Sequence, residues 1–508
     1  MEAGKVWLVG AGPGDGGLFT IKGKRVLDEA DVVVYDRLVG QEILAMVPQH
    51  AECIDVGKRA GRHTVSQANI NEILLEKAMA GKKVVRLKGG DPFLFGRGGE
   101  ELELLCQHKI PYEIVPGITS AIAVPAYNGI PVTHRDFASS VHIITGHKKQ
   151  DQQYDIDFEA LVKVKGTLVF LMGVSELENI CTGLLEAGMN PNTPAAILQK
   201  GTTAGQKRIA ATVGTLFEEA EKQGVETPAI IVVGAVCDLA DTFYWHEKLP
   251  LAGRKIVVTR PEGLAWAMAD KLRRQGAEVL ELPSIRTVAV EDQSRLQSCL
   301  EQVHRYDWIA FTSQAGVQIF FEQLCRAGKD VRSLADVKIG AIGEGTKKAL
   351  AKWGILADLM PEIYDGEHLG KAILEEGMKK EEGRILLPRA RMGSPELYRI
   401  LTEAGRLVDD IPIYDTFYEK QTLVDEKAEF ESGAVDFVTF TSASTVRGFV
   451  DATKGLDYRK VKAVCIGKQT AAEAGRYGMQ CFVARQATAD SVVEKILEVC
   501  QGRSDFSG

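Results

Sequence analysis

The feature that most restricts how this chain can fold is that its C-terminal half is written twice. RRQGAEVLELPSIRT, ending at Thr287, returns as TEAGRLVDDIPIYDT, ending at Thr416; the same offset carries Arg260 onto Arg389 and DWIAFTS from Asp307 onto DFVTFTS from Asp436. At a slightly shorter offset VKIGAIGEGT from Val337 returns as VKAVCIGKQT from Val461. The half therefore holds two copies of one α/β unit, and two like lobes are expected to face each other across a cleft. Copied polar motifs stand where a strand gives way to a helix: FTS at 311–313 and 440–442, and IG-x-x-T at 342–346 and 466–470. Helix N-termini offer free N–H groups and the positive end of the dipole, so a carboxylate or phosphate between the lobes is the physical expectation. The alternative is that these hydroxyls only cap helices.

The N-terminal half reads strand (5–9), glycine turn GAGPGD (10–15), helix (21–30), strand (31–35), and alternates onward through 83–87. That is the mark of an α/β layered domain. Proline and glycine cluster at 116–117 and 129–131, where a crossing between two lobes is expected. After AIIVVG, ending at Gly234, the run 245–253 breaks all periodicity and marks the main boundary. At 508 residues the chain exceeds what one core can serve, and 45% hydrophobic with 26% charged residues is ordinary globular composition.

Several function classes are disfavoured. No apolar run approaches the roughly 20 residues that cross a bilayer, and the N-terminus lacks a signal-like pattern, so a cytoplasmic location and no membrane partner are expected. Nine cysteines without a CxxC pair argue against a disulfide framework or zinc site, and nine histidines form no HExxH, with His142 and His147 on different faces. No metal is expected. A net charge of −8 without a basic run argues against nucleic acid.

GAGPGD after a strand invites a dinucleotide reading, but GxGxxG needs glycine where Asp15 stands, and Pro13 stiffens the turn. Asp36, ending the second strand, could still mimic a ribose-binding acid, which keeps a dehydrogenase as an alternative. GGDPFLFGRGGEE (89–101), directly after VVRLK, is stronger: so many glycines keep a backbone open for close ligand approach.

VWLVGAGPGD, ADVVVYDRLV, VGKRAG, RLKGGDPFLFGRGGEE, PGITSA, PVTHRDFASS, FLMGV and QKGT follow in order over residues 4–243. In these pieces the chain resembles the uroporphyrinogen-III C-methyltransferases of the tetrapyrrole methylase class, with Gly16-Gly17 where the family commonly has proline. The resemblance implies S-adenosyl-L-methionine held between two lobes by Pro13, Gly89, Gly90, Asp91, Leu94, Thr119, Ser120, Met172 and Gly201. Asp91 could accept from the ribose or amino group and has no evident structural role, whereas Met172 could equally be core packing. The resemblance makes Asp36 the base that removes a proton after carbon methylation, with a helix cap before Arg37 as its alternative. It makes Lys58 a proton donor or a partner of a substrate carboxylate, the alternative being a solvated loop lysine.

RKIVVTRP, FTSQAGV, IGEGT, IPIYDT, FTSASTV, IGKQTAAEA and ATADSVVEKI, from residue 254 on, resemble the uroporphyrinogen-III synthases. The implied substrate is hydroxymethylbilane, whose eight carboxylates suit an anion-ready cleft; Arg260, Thr312, Ser313, Thr346, Arg389, Ser442 and Thr470 are the candidates to grip it. Tyr414 matches the family's proposed acid for the departing hydroxyl, staying protonated with a reference pKa near 10; its alternative is packing at an inter-lobe crossing.

The fold expected is α/β throughout: a two-lobed tetrapyrrole methylase fold (1–243, lobes about 1–117 and 118–243), a linker (244–253), then a two-lobed synthase-like fold with an internal repeat. The synthase (254–502) would form one lobe from 254–286 with 417–502 and another from 289–411, with crossings near 283–288 and 411–416. The expected activity is cyclisation of hydroxymethylbilane with inversion of ring D, then two methylations to precorrin-2, with S-adenosyl-L-homocysteine as by-product. Precorrin-2 feeds siroheme or cobalamin. The rivals are a methyltransferase of the same fold acting on RNA or protein, disfavoured by the acidic balance, and a non-catalytic anion sensor in the second half. The methyltransferase resemblance implies a homodimer.

Overall fold

The computed structural model describes residues 3–57, 66–146, 156–259, 266–378, 383–418, 420 and 423–502. By its internal contacts the chain forms two units: Met1–Ile256 with Asp270–Glu281 and Gln421–Asp425, and Val257–Ala269 with Leu282–Lys420 and Glu426–Gly508. Both are α/β. Among the described residues no helix is long and apolar enough to cross a membrane.

The first unit opens with a five-stranded sheet: β1 (Lys5–Gly10), β2 (Val32–Tyr35), β3 (Glu52–Asp55), β4 (Lys83–Lys88) and β5 (Tyr112–Val115), in the order β3-β2-β4-β1-β5. All pairs are parallel. β1 and β2 read as nearly unbroken apolar runs because helices cover both faces, and β4 sets Arg86 and Lys88 among its apolar residues. Val6, Leu8, Val32, Val34 and Val84 pack on one face with Ile70, Leu74, Leu102 and Leu105, while Val9, Val33, Val85 and Leu87 pack on the other with Leu27 and Ile43. GAGPGD, GGDPF and PGITS leave the carboxyl ends of the neighbouring strands β1, β4 and β5, where open α/β sheets bind ligands.

A second sheet in the same unit comprises β6 (Val141–Thr145), β7 (Thr167–Leu171), β8 (Pro194–Gln199), β9 (Lys207–Thr212) and β10 (Ala229–Val233), ordered β6-β7-β10-β8-β9. β7 and β8 both run antiparallel to β10, so their carboxyl ends share one edge and deliver Met172 and Gly201 there. The run 245–253 folds back onto this unit: the Trp245 ring meets Tyr127 edge-on at 5.2 Å, and its Nε1 donates to the Ala126 carbonyl at 3.0 Å.

The remaining strands are β11 (Lys255–Val258), β12 (Glu278–Glu281), β13 (Ile285–Ala289), β14 (Tyr306–Phe311), β15 (Lys338–Ala341), β16 (Arg384–Ala390), β17 (Leu407–Tyr418), β18 (Phe437–Phe440), β19 (Lys462–Cys465) and β20 (Gln480–Val483). They form the sheets β12-β11-β18-β19-β20 and β13-β17-β16-β14-β15. The sequence repeat appears as matching neighbours: β14 pairs with β15 and β18 with β19, both parallel, each strand followed by a helix. β13 and β17 pair antiparallel, and Thr287 and Thr416, which close the two sequence copies, are direct partners.

Candidate active sites

In the first unit three glycines bring three backbones into contact. A Cβ on Gly117 would lie 2.2 Å from the Gly90 carbonyl oxygen and 2.6 Å from the Gly10 Cα, so none of the three strand ends could approach as it does with a side chain there. Gly12 and Gly90 exchange two backbone hydrogen bonds, of 3.1 and 2.7 Å. Gly90, at φ +67°, keeps its Cβ position open, with Ser120 N 3.9 Å and Thr119 Cα 4.0 Å away. Thr119 caps the helix Ser120–Tyr127, and Gly201 seats against Val124 of that helix, where a Cβ would come within 2.3 Å of Cγ1. Leu94 reaches the apolar cluster containing Ala121, Val124 and Leu198. Pro13, Gly89, Gly90, Asp91, Leu94, Thr119, Ser120 and Gly201 thus belong to one neighbourhood of loops and helix start.

One residue differs from its sequence reading, and another loses the alternative reading. Asp91 does serve the fold, for its Oδ1 accepts from Phe93 N at 2.8 Å and Leu94 N at 3.1 Å, and its Oδ2 accepts from Gly117 N at 3.0 Å. It closes its own loop and ties β4 to β5, with lone pairs left over. Met172 is not core packing: it is half exposed and left-handed at φ 56°, an uncommon conformation for a residue other than glycine.

Asp36 does not cap a helix. Its Oδ1 accepts from Leu38 N at 3.0 Å in a local turn, and its Oδ2 accepts from Arg86 Nη2 at 3.2 Å. Arg86 and Lys88, buried in β4, both reach Glu101 Oε1, at 3.3 and 2.6 Å. Two cations and two anions balance, Arg86, Lys88 and Glu101 buried and Asp36 partly exposed at the edge of the cluster. Burial, with Arg86 beside it, pushes the Lys88 ammonium below its ordinary pKa, against the pull of Glu101. Sequence reasoning passed over this charge cluster, yet its signal was visible as charges in the otherwise apolar strand KVVRLK. Lys58 lies outside the described residues.

In the second unit Ser313 and Tyr414 come together: Ser313 Oγ stands 2.8 Å from the Tyr414 hydroxyl and accepts from Gly316 N at 2.9 Å. Either hydroxyl can donate to the other, since the Ser313 oxygen keeps a second lone pair after accepting from Gly316 N; with the serine as donor, the phenol proton is left for another acceptor. Tyr414 packs in the core cluster with Ile411 and Ile413, and burial pushes its pKa up from 10, so it stays a phenol. Packing and a polar role coexist.

The other candidates divide. Ser313 and Ser442 are true helix caps, and Ser442 forms a capping box with Thr445. Thr346 and Thr470 instead sit buried in the first turns of their helices, behind glycine caps. Thr312 is half-buried immediately after β14. Arg389, a candidate to grip the substrate, is already engaged within the unit: its Nε and Nη2 fork onto Asp410 at 2.7 and 2.6 Å, and its Nη1 donates to the Ser394 carbonyl. Its charge is already compensated, which leaves it a poor grip for a carboxylate. Arg260 lies outside the described residues. Among the described residues no group of three His, Cys, Asp or Glu side chains could hold a metal.

Comparison with known proteins matches residues 5–216 to the model of the tetrapyrrole (corrin/porphyrin) methylases and residues 267–494 to that of uroporphyrinogen-III synthase HemD. A porphyrin biosynthesis protein HemD of Ruminiclostridium josui is 48% identical over 502 residues, covering 99% of both chains. A uroporphyrinogen-III C-methyltransferase of Bacillus subtilis is 41% identical over 384 residues, 75% of this chain and 78% of that one. A crystal structure of uroporphyrin-III C-methyltransferase from Thermus thermophilus with S-adenosyl homocysteine is 40% identical over 46% of this chain and all of that chain, with a TM-score of 0.41.

Proposed function

Because the chain belongs to the tetrapyrrole methylases through its N-terminal part and to the uroporphyrinogen-III synthases through its C-terminal part, we propose that it makes uroporphyrinogen III from hydroxymethylbilane and methylates it twice to precorrin-2. It is a two-activity enzyme, an S-adenosylmethionine-dependent C-methyltransferase and a synthase.

The observation that carries the methylation reading is the cradle of Gly10, Gly90 and Gly117, with left-handed, exposed Met172 in the same unit. The fit is chemical: an open backbone at Gly90 admits a ligand's own backbone, and a thioether accepts a soft, polarizable neighbour. Bound S-adenosylmethionine supplies a methyl group already activated on a sulfonium. The residues of the chain are left to orient it and to take the proton that the methylated carbon's ring must lose. Asp36 is the proposed acceptor, its carboxylate fixed from two sides by Leu38 N and Arg86; Lys58 is the proposed donor.

In the synthase part, water leaves the bilane, ring D inverts and the macrocycle closes. The phenol of Tyr414 gives its proton to the departing hydroxyl, and the hydroxyls of Thr312, Ser313, Thr346, Ser442 and Thr470 are the proposed carboxylate contacts. The proposed location is the cytoplasm, with which water-soluble polyanionic substrates agree, and the proposed assembly is a homodimer through the methyltransferase part, which sedimentation would test. Incubating the purified protein with hydroxymethylbilane alone should yield the type III isomer; a sensor would leave spontaneous type I. Adding S-adenosylmethionine should give a product heavier by two methyl groups, and accumulation of unmethylated uroporphyrinogen III would refute the methylation reading.

A further inference from the structure

Asp15 stands where a dinucleotide fingerprint requires glycine, and nothing in the methylation chemistry uses it. Its surroundings explain its presence. The carboxylate accepts from the Tyr127 hydroxyl at 2.6 Å through Oδ2 and from Gly17 N through Oδ1, while its own backbone N–H donates to Thr202 Oγ1 at 3.2 Å. Tyr127 ends the helix whose first turn carries Thr119 and Ser120, and Thr202 follows Gly201. Thr202 is buried and left-handed at φ 65°, a strained setting that its neighbours must hold in place. The Tyr127 ring is itself fixed, with the rings of Trp245 and His246 at 5.2 and 5.1 Å. On the other side Gly16 N donates to Glu42 at 3.2 Å, so the turn cannot drift when the tyrosine pulls on it.

We propose that Asp15, with Tyr127 and Thr202, is a latch that pins the Pro13 turn to the helix Ser120–Tyr127 and to the Gly201 turn, and so sets the gap in which S-adenosylmethionine is bound. These are positioning residues; they act through Pro13, Thr119, Ser120 and Gly201. The inference rests on those residues forming the cofactor cleft. A hydrogen bond to an ionised group, held in a partly buried place, is strong enough for its loss to be felt as looser geometry.

The test is calorimetric binding of S-adenosylhomocysteine to the full chain at a temperature well below unfolding, so that a merely structural loss leaves the affinity of the folded protein unmoved. Tyr127→Phe, which removes one oxygen, and Asp15→Ala should each weaken binding by about tenfold. The double variant should be no weaker than the weaker single, because both break one link. Wild type failing to bind would overturn the cofactor cleft itself. Wild type binding while Tyr127→Phe binds equally well, or losses that simply add in the double variant, would overturn the latch alone. Should Asp15→Ala not fold, Asp15→Asn, which keeps the oxygen that accepts from Gly17 N but sets an amide nitrogen toward Tyr127, carries the same comparison with Tyr127→Phe.

Discussion

Single atoms decide most at Tyr414. Its phenol oxygen stands 2.8 Å from Ser313 Oγ, which also accepts from Gly316 N, so one short hydroxyl contact fixes where the acid points. Tyr414→Phe should lower the rate of type III formation by about 100-fold, the low end of what a positioned general acid contributes, with type I appearing in its place. Ser313→Ala should lower it less and also cost about 1 kcal/mol of stability as a lost helix cap; Ser313→Thr, keeping hydroxyl and cap, should restore both. Resolving the isomers chromatographically beside a thermal melt checks this. Asp36 is held by Arg86. Arg86→Lys keeps the charge but loses the fork that reaches Asp36 and Glu101 together. Methylation should fall by about tenfold with little change in S-adenosylhomocysteine affinity, and a parallel loss of affinity would mean that the charge cluster merely holds the fold. Such pairings were not legible in the sequence. Ser313 and Tyr414 are named by their motifs, but that they touch depends on β14 and β17 sharing a sheet, and the bond from Gly117 N to Asp91 forms only when the loops after β4 and β5 meet.

Elements were far more legible, since their pattern is local. The apolar runs at 5–9, 31–35 and 83–87 became β1, β2 and β4, and the copied strand-to-helix motifs became β14, β15, β18 and β19 with their helices. Apolar periodicity and helix caps are written within a few neighbouring residues. Less legible was the run 245–253, whose lack of periodicity hid the aromatic contacts it makes with Tyr127. Between elements, Glu113 of β5 illustrates a tie with a pH signature. It pairs with Lys5 of β1 at 2.6 Å and with Lys22 of the helix Ile21–Asp28, and these hydrogen bonds hold its carboxyl down at about 2. A depressed acid stabilises the fold above its unfolded pKa of about 4.5, and that contribution fades as pH falls toward 2. Being partly solvated, the two pairs together are worth about 1 kcal/mol. The melting temperature should therefore drop between pH 4.5 and 2 in wild type, and Glu113→Gln should lower the plateau above pH 5 while flattening that stretch of the curve.

On the scale of the whole molecule, the proposed residues of each reaction come from one unit: Asp36, Asp91 and Met172 from the first, Ser313, Tyr414 and Ser442 from the second. A chain built so should lose its activities one at a time. Asp91→Ala removes three backbone hydrogen bonds from the cofactor loops, and methylation should fall at least about 100-fold, well beyond the roughly 1 kcal/mol of one ordinary hydrogen bond. Uroporphyrinogen III should then accumulate from hydroxymethylbilane at the wild-type rate. Tyr414→Phe should do the converse, methylating supplied uroporphyrinogen III normally while failing to make it. Mixed in equal amounts, the two variants should restore precorrin-2 to near the wild-type yield after a lag that shortens as protein concentration rises, because the intermediate crosses through solution. A mixture that stays inactive while each variant keeps its remaining activity would require the intermediate to pass within one chain, and the two sites would then have to be treated as a single device.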